Sequence, residues 1–140
     1  MTALTMRPRT LREVASRVAA GEQDFDPALR EFLDTFYANP DERQQAIAAR
    51  PDTLDDLRDA WLAAVAEHLA RSFDLLVPAW SETHGNNLRR PFFAGGLETL
   101  KAILFVESPT AFRRRMLFVS KNALSRPRLA DASPEPPVTI

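Results

Sequence analysis

Apolar residues recur along this chain at helical spacing, and the first set begins behind a clear start signal. Leu11, Val14, Ala15 and Val18 share one helix face after Thr10-Leu-Arg-Glu13. That spacing is a capping box, in which the threonine hydroxyl and the glutamate carboxylate satisfy N–H groups that a helix start leaves open. Gly21 then supplies a C-terminal stop. Asp26-Pro27 opens a second helix, with proline at a first position where its missing N–H does no harm. Leu29, Phe32, Leu33, Phe36 and Tyr37 follow at i, i+3, i+4, i+7 and i+8, a single apolar stripe. Asn39-Pro40 ends it and caps a short third helix through Ala49, which Arg50-Pro51 breaks.

Thr53-Leu-Asp-Asp56 starts the longest predicted helix, reaching about Ser72. Leu57, Trp61, Leu62, Val65, Leu69 and Phe73 keep the helical period, and Asp55, Arg58, Asp59, Glu67 and Arg71 are expected on a solvated face. Residues 74–96 read as a long irregular loop punctuated by Pro78, Gly85, Asn86, Asn87, Pro91, Gly95 and Gly96, with Trp80, Phe92 and Phe93 pinning it to the helices. Leu97 to about Val106 is apolar on nearly every side, as a central buried helix would be. Ser108-Pro109 is an N-cap plus N1 proline that opens a last, basic helix over 109–121. Residues 116–119 fit either its continuation or a short extended piece, and no strand alternation stands out elsewhere. The expected architecture is all-α: a compact single-domain bundle of five to seven helices over 10–126. A flexible stretch, 1–9, precedes it, and a disordered proline-rich tail, 127–140, follows.

Composition narrows the function classes. A chain of 140 residues with 45% apolar content is one domain's worth, able to bury about two-thirds of its unfolded surface. The absence of cysteine removes disulfides, thiolate metal sites and thiol catalysis. The first ten residues hold no apolar leader and no run approaches a membrane span, so a soluble cytoplasmic chain is expected. Sixteen of the 18 basic residues are arginine, a codon-usage hint of a GC-rich bacterial source.

The net charge of −1 conceals a polarity along the chain. From Glu22 to Glu67 there are 12 acidic and 4 basic residues; from Leu88 to Arg128 there are 2 acidic and 9 basic. Such halves steer partners or neutralise each other within the fold. On a helix over 109–121, Arg113 and Arg114 point outward, with Lys121 also off the apolar face. Arg115 falls beside the apolar stripe of Phe112, Met116 and Val119, where an arginine generally has a fixed carboxylate or carbonyl partner.

Reactive chemistry is sparse. His68 follows Glu67 within a helix with nothing to complete a zinc motif, and His84 lies in a turn-like SETHGNN stretch. Asp55, Asp56 and Asp59 cluster at a helix start, where the helix dipole alone favours carboxylates. No phosphate-binding glycine loop or nucleophile elbow is present. An enzyme would have to work through His84 with Glu82 or Asp74; the expectation is no enzyme and no cofactor.

Residues 78–126 carry a set of apolar signposts: Pro78 and Trp80; Pro91, Phe92 and Phe93; Glu107-Ser108-Pro109; Phe112, Arg115, Phe118-Val119 and Leu124-Ser125-Arg126. This stretch resembles small helical bacterial proteins encoded beside nucleotidyltransferase-fold toxins. The resemblance implies the antitoxin-like member of a toxin–antitoxin pair, a non-enzymatic protein that neutralises its cognate toxin by protein–protein contact. Either the basic helix covers the toxin's acidic metal site or the acidic 22–67 face enters its RNA-binding groove. The expected partner surface is Arg113, Arg114, Arg115, Phe118, Lys121 and Arg126. The alternative is a nucleic-acid-binding transcriptional regulator using helix 109–121 on operator DNA, which would need a homodimer to present two basic helices.

Overall fold

The computed structural model describes residues 7–84, 88, 90–94, 107–120 and 124. The described residues are predominantly helical, in keeping with the all-α expectation. In chain order come α1 (Leu11–Ala19), α2 (Phe25–Ala38), a 3-10 turn (Pro40–Glu42), α3 (Arg43–Ala48), α4 (Asp56–Ser72), a second 3-10 turn (Ala79–Glu82), β1 (Phe92–Phe93), α5 (Thr110–Arg113) and β2 (Leu117–Phe118).

The capping box forms at α1: the Glu13 N–H donates to the Thr10 hydroxyl, and the Glu13 carboxylate accepts from the Thr10 N–H. At its far end Gly21 has φ +73°, its N–H donates to Val18 O, and the Glu22 N–H donates to Arg17 O. These two bonds are a Schellman motif, which needs a residue in the left-handed region just past the helix. α4 closes in the same way around a less suited residue: Asp74 has φ +60°, and the Leu75 N–H reaches back to Ala70 O. α2 begins at Phe25 rather than at the Asp26-Pro27 step, so Pro27 occupies the third helical position, still within the turn where an N–H has no partner. Arg43 finishes α2 by donating to Phe36 O and Tyr37 O while its guanidinium covers the Phe36 and Phe73 rings.

α1 packs on α2, and both meet α3, which in turn meets α4; α4 also carries α5 and the 79–82 turn. Phe32, Leu11, Ile47, Leu62 and Leu69 are fully buried in one apolar core. α4 departs from its expected amphipathic character. Ala60, Ala63, Ala64, Ala66 and Ala70 surround it with small side chains, and Leu62, Val65, Asp59 and Glu67 are buried with them. It is therefore the central helix of the described residues, a role expected of 97–106, which lies outside them. Its start also differs: Asp55, not Thr53, caps it, accepting from the Arg58 N–H.

Residues 7–9, expected to be flexible, are fastened to the domain. Pro8 is buried, Arg7 pairs with Asp34 and Arg9 with Glu42. The 74–96 loop is partly organised: Trp80 is buried with its Nε1–H donating to Ile47 O at 3.0 Å, and Phe92 packs edge-on against Trp61.

The basic helix over 109–121 is not formed. α5 ends at Arg113, Met116 takes a left-handed φ of +62°, and the chain then runs extended, in parallel register with β1 (Phe92 with Leu117, Phe93 with Phe118). The N–H groups of Phe92 and Ala94 donate to Met116 O and Phe118 O. Ser108 closes the loop so made: its hydroxyl donates to Val119 O and accepts from the Val119 N–H, doing the work of a missing strand.

Candidate functional site

The charged residues of the C-terminal segment converge on Glu67, in the middle of α4. Its side chain is 1% exposed, and four hydrogen bonds from three arginines reach its two oxygens. Arg115 Nη1 donates to Oε1 at 2.7 Å, Arg71 Nε to Oε2 at 2.8 Å, and Arg114 Nη1 straddles both at 3.2 and 3.1 Å. Arg115 is itself 2% exposed; it also donates to Ala111 O and Ser81 O, while its Nε has no partner. Arg114 extends further, to Glu82 on the 79–82 turn. Through Arg114 and Arg115, this carboxylate on α4 is linked to the residues just after α5 and to the 79–82 turn.

Burial pushes the Glu67 carboxyl up. The hydrogen bonds from Arg115 and Arg71 and the charges of Arg115 and Arg114 together outweigh it, so the group ionises below its ordinary range. A carboxylate held ionised with both oxygens occupied is a poor base and offers no open coordination position. The geometry is that of a fastening, of the kind in which removing one partner costs far more than the pair contributes.

A second polar pair lies at the other end of the 79–84 segment. His84 is buried against α4 with its ring edge-on to Trp80, and its Nε2 is 3.4 Å from Asp59 Oδ1 without hydrogen-bond alignment. Asp59 is turned inward to accept from the Leu54 N–H at 2.8 Å. The acidic cluster at the start of α4 is thereby divided, with Asp55 on the cap, Asp56 exposed and Asp59 inside. Burial pushes His84 below the usual histidine range, and Asp59 only partly opposes it. His68, half-buried against the Phe112 ring, is lowered by burial in the same way.

The residues expected to form one partner surface separate. Arg113 is exposed. Arg114 is 43% exposed but engaged with Glu67 and Glu82. Arg115 and Phe118 are inside, at 5% and 6% exposure, which corrects their placement on a docking face. Lys121 and Arg126 lie outside the described residues. The expectation that Arg115 has a fixed carboxylate and carbonyl holds, with Glu67, Ala111 O and Ser81 O in that role. Glu67 and Asp59, expected on a solvated face, are instead buried. The available signal was the run of alanines around Glu67, which lets neighbours approach α4 from every side.

On the acidic half, Glu22, Asp24, Asp26, Asp41, Asp52 and Asp56 are exposed and enter no ion pair among the described residues. Exposed Glu42 and Asp55 pair with Arg9 and Arg58. Among the described residues no group of three histidine or acidic side chains is placed to hold a metal ion, and no helix is long and apolar enough to cross a membrane. No family model, curated protein or solved structure matches the chain.

Proposed function

We propose that this protein is a non-enzymatic, antitoxin-like binding protein that neutralises a nucleotidyltransferase-type toxin by contact, and that its acidic half makes that contact. The observation that carries this choice of face is the unequal fate of the two charge blocks. Arg114 and Arg115 are spent on Glu67 and Glu82, leaving Arg90 and Arg113 exposed, whereas six carboxylates between Glu22 and Asp56 face solvent and enter no ion pair among the described residues. An exposed acidic surface suits the basic groove of a protein that binds RNA, where complementarity speeds encounter and excludes wrong partners. Use as a major-groove reader requires a basic helix of several turns, and residues 110–113 form about one.

The test is co-expression of the tagged chain with its neighbouring gene product, followed by sizing chromatography at low and moderate salt. A stable complex is expected, weakened about tenfold by Asp41→Lys with Asp52→Lys and unchanged by Arg113→Glu. A chain that elutes alone, or a complex indifferent to the acidic reversals but lost with Arg113→Glu, overturns the proposal. The triple reversal of Arg113, Arg114 and Arg115 is unsuitable, because it places new carboxylates against buried Glu67 and unfolds the segment.

A further inference from the structure

His84 is the one side chain among the described residues with both of its polar atoms buried and neither hydrogen-bonded. Among the described residues, few titratable or charged groups face it. Asp59 approaches from α4 at 3.4 Å, and Arg50, in the stretch leading to α4, opposes a positive charge on the ring. On its own segment Glu82 is turned away to Arg114, and Trp80 presents an apolar ring at 5.3 Å. A second proton would give the imidazole two N–H donors and a full charge. Nε2 could turn to Asp59, whose Oδ1 already accepts from Leu54, but among the described residues Nδ1 has no acceptor. A buried, unsatisfied charged donor is strongly disfavoured against the same group in water.

The segment that carries this group is also the one that the arginines grip. Ser81 O receives Arg115, and Glu82 receives Arg114. We infer that the 79–84 turn is an acid-sensitive latch, which leaves α4 when His84 takes up a second proton and moves to water, loosening the Arg114 and Arg115 contacts with it. The direction follows from linkage. An imidazole that burial holds below 6.5 binds its proton more readily once the turn is open, so opening is favoured as pH falls below that value. This latch is independent of the identity of any partner.

The experiment follows amide exchange of the full chain between pH 7.5 and 5.0, expressed as protection factors so that the intrinsic pH dependence of exchange is removed. Protection of residues 79–84 is expected to fall at least tenfold across this range while the amides of α1 and α2 keep theirs. His84→Leu should abolish the fall, since the ring makes no hydrogen bond to lose, and His68→Gln should preserve it. A His84→Leu protein that still loses protection at 79–84 overturns the inference. Should that variant not fold, the ring resonances of the unmodified protein decide. A His84 that titrates at the ordinary value, or without accompanying shifts of the 79–84 amides, overturns it equally.

Discussion

The α1–α3 region and the 107–119 segment are both held to α4 or to each other by buried contacts, but by contacts of opposite kinds. In the first, Leu11, Phe32 and Ile47 interlock, and the ion pairs among the described residues lie at or near the surface, such as Arg9 with Glu42 at 57% and 50% exposure. In the second, apolar Phe112, Leu117 and Val119 are joined by a charge pair, Arg115 with Glu67, that water scarcely reaches. Apolar packing tolerates exchange of one hydrocarbon for another; a buried ion pair tolerates only the loss of both members. The segment is accordingly held by a specific charge pair as well as by apolar burial.

The sharpest way to break this comparison is Arg115→Ala. It leaves Glu67 with two partly exposed arginines and should cost about 3–5 kcal/mol in urea denaturation. Glu67→Met combined with Arg115→Met should recover most of that loss, which a purely steric role for Arg115 would not allow. Acid probes the same pair: because the Glu67 carboxyl ionises below 4.5 when folded, its contribution is present above that pH and disappears as pH falls through the folded value. Glu67→Gln should flatten the denaturation midpoint against pH in that window. On the other side, Gly21→Ala meets no neighbour within 4 Å yet forces an L side chain into φ +73°, and should cost about 1 kcal/mol. Arg9→Ala, at a half-exposed surface pair, should change stability by about 0–1 kcal/mol. If it proved as costly as Arg115→Ala, the contrast between the two regions would collapse.

Much of the α1–α3 region was legible because its rules are local. Thr10 and Glu13 are three residues apart, the Leu29–Tyr37 stripe spans under three turns, and Gly21 acts on carbonyls just behind it. Residues 109–121 read as a helix because their local period is helical through Met116 and Val119. What ends that helix is distant: β1 offers N–H groups from Phe92 and Ala94, and Glu67, 48 residues away, draws Arg115 inward. Neither partner is visible in a window of one element. The same distance explains the misplacement of Asp59 and Glu67, whose polar character suggests solvent until the arginine and histidine that meet them are known. Of the expected site, the arginine run is legible in the sequence but its destination on Glu67 is not.

The Glu67 fastening also has a temporal side. Arg115 meets Glu67 and Ser81 across separations of 48 and 34 residues, so the chain must close long loops before any of these bonds can form. The capping box of α1 and the contacts of α1 with α2 close over short separations. Contacts formed late belong to the descent from the transition state, and weakening them speeds escape from the native state without slowing entry. Arg115→Ala should therefore act almost wholly on the unfolding limb of a stopped-flow chevron, leaving the refolding rate within about twofold of the unmodified chain. The residue that holds the C-terminal segment in place would then set how long the native protein lasts rather than how fast it arises.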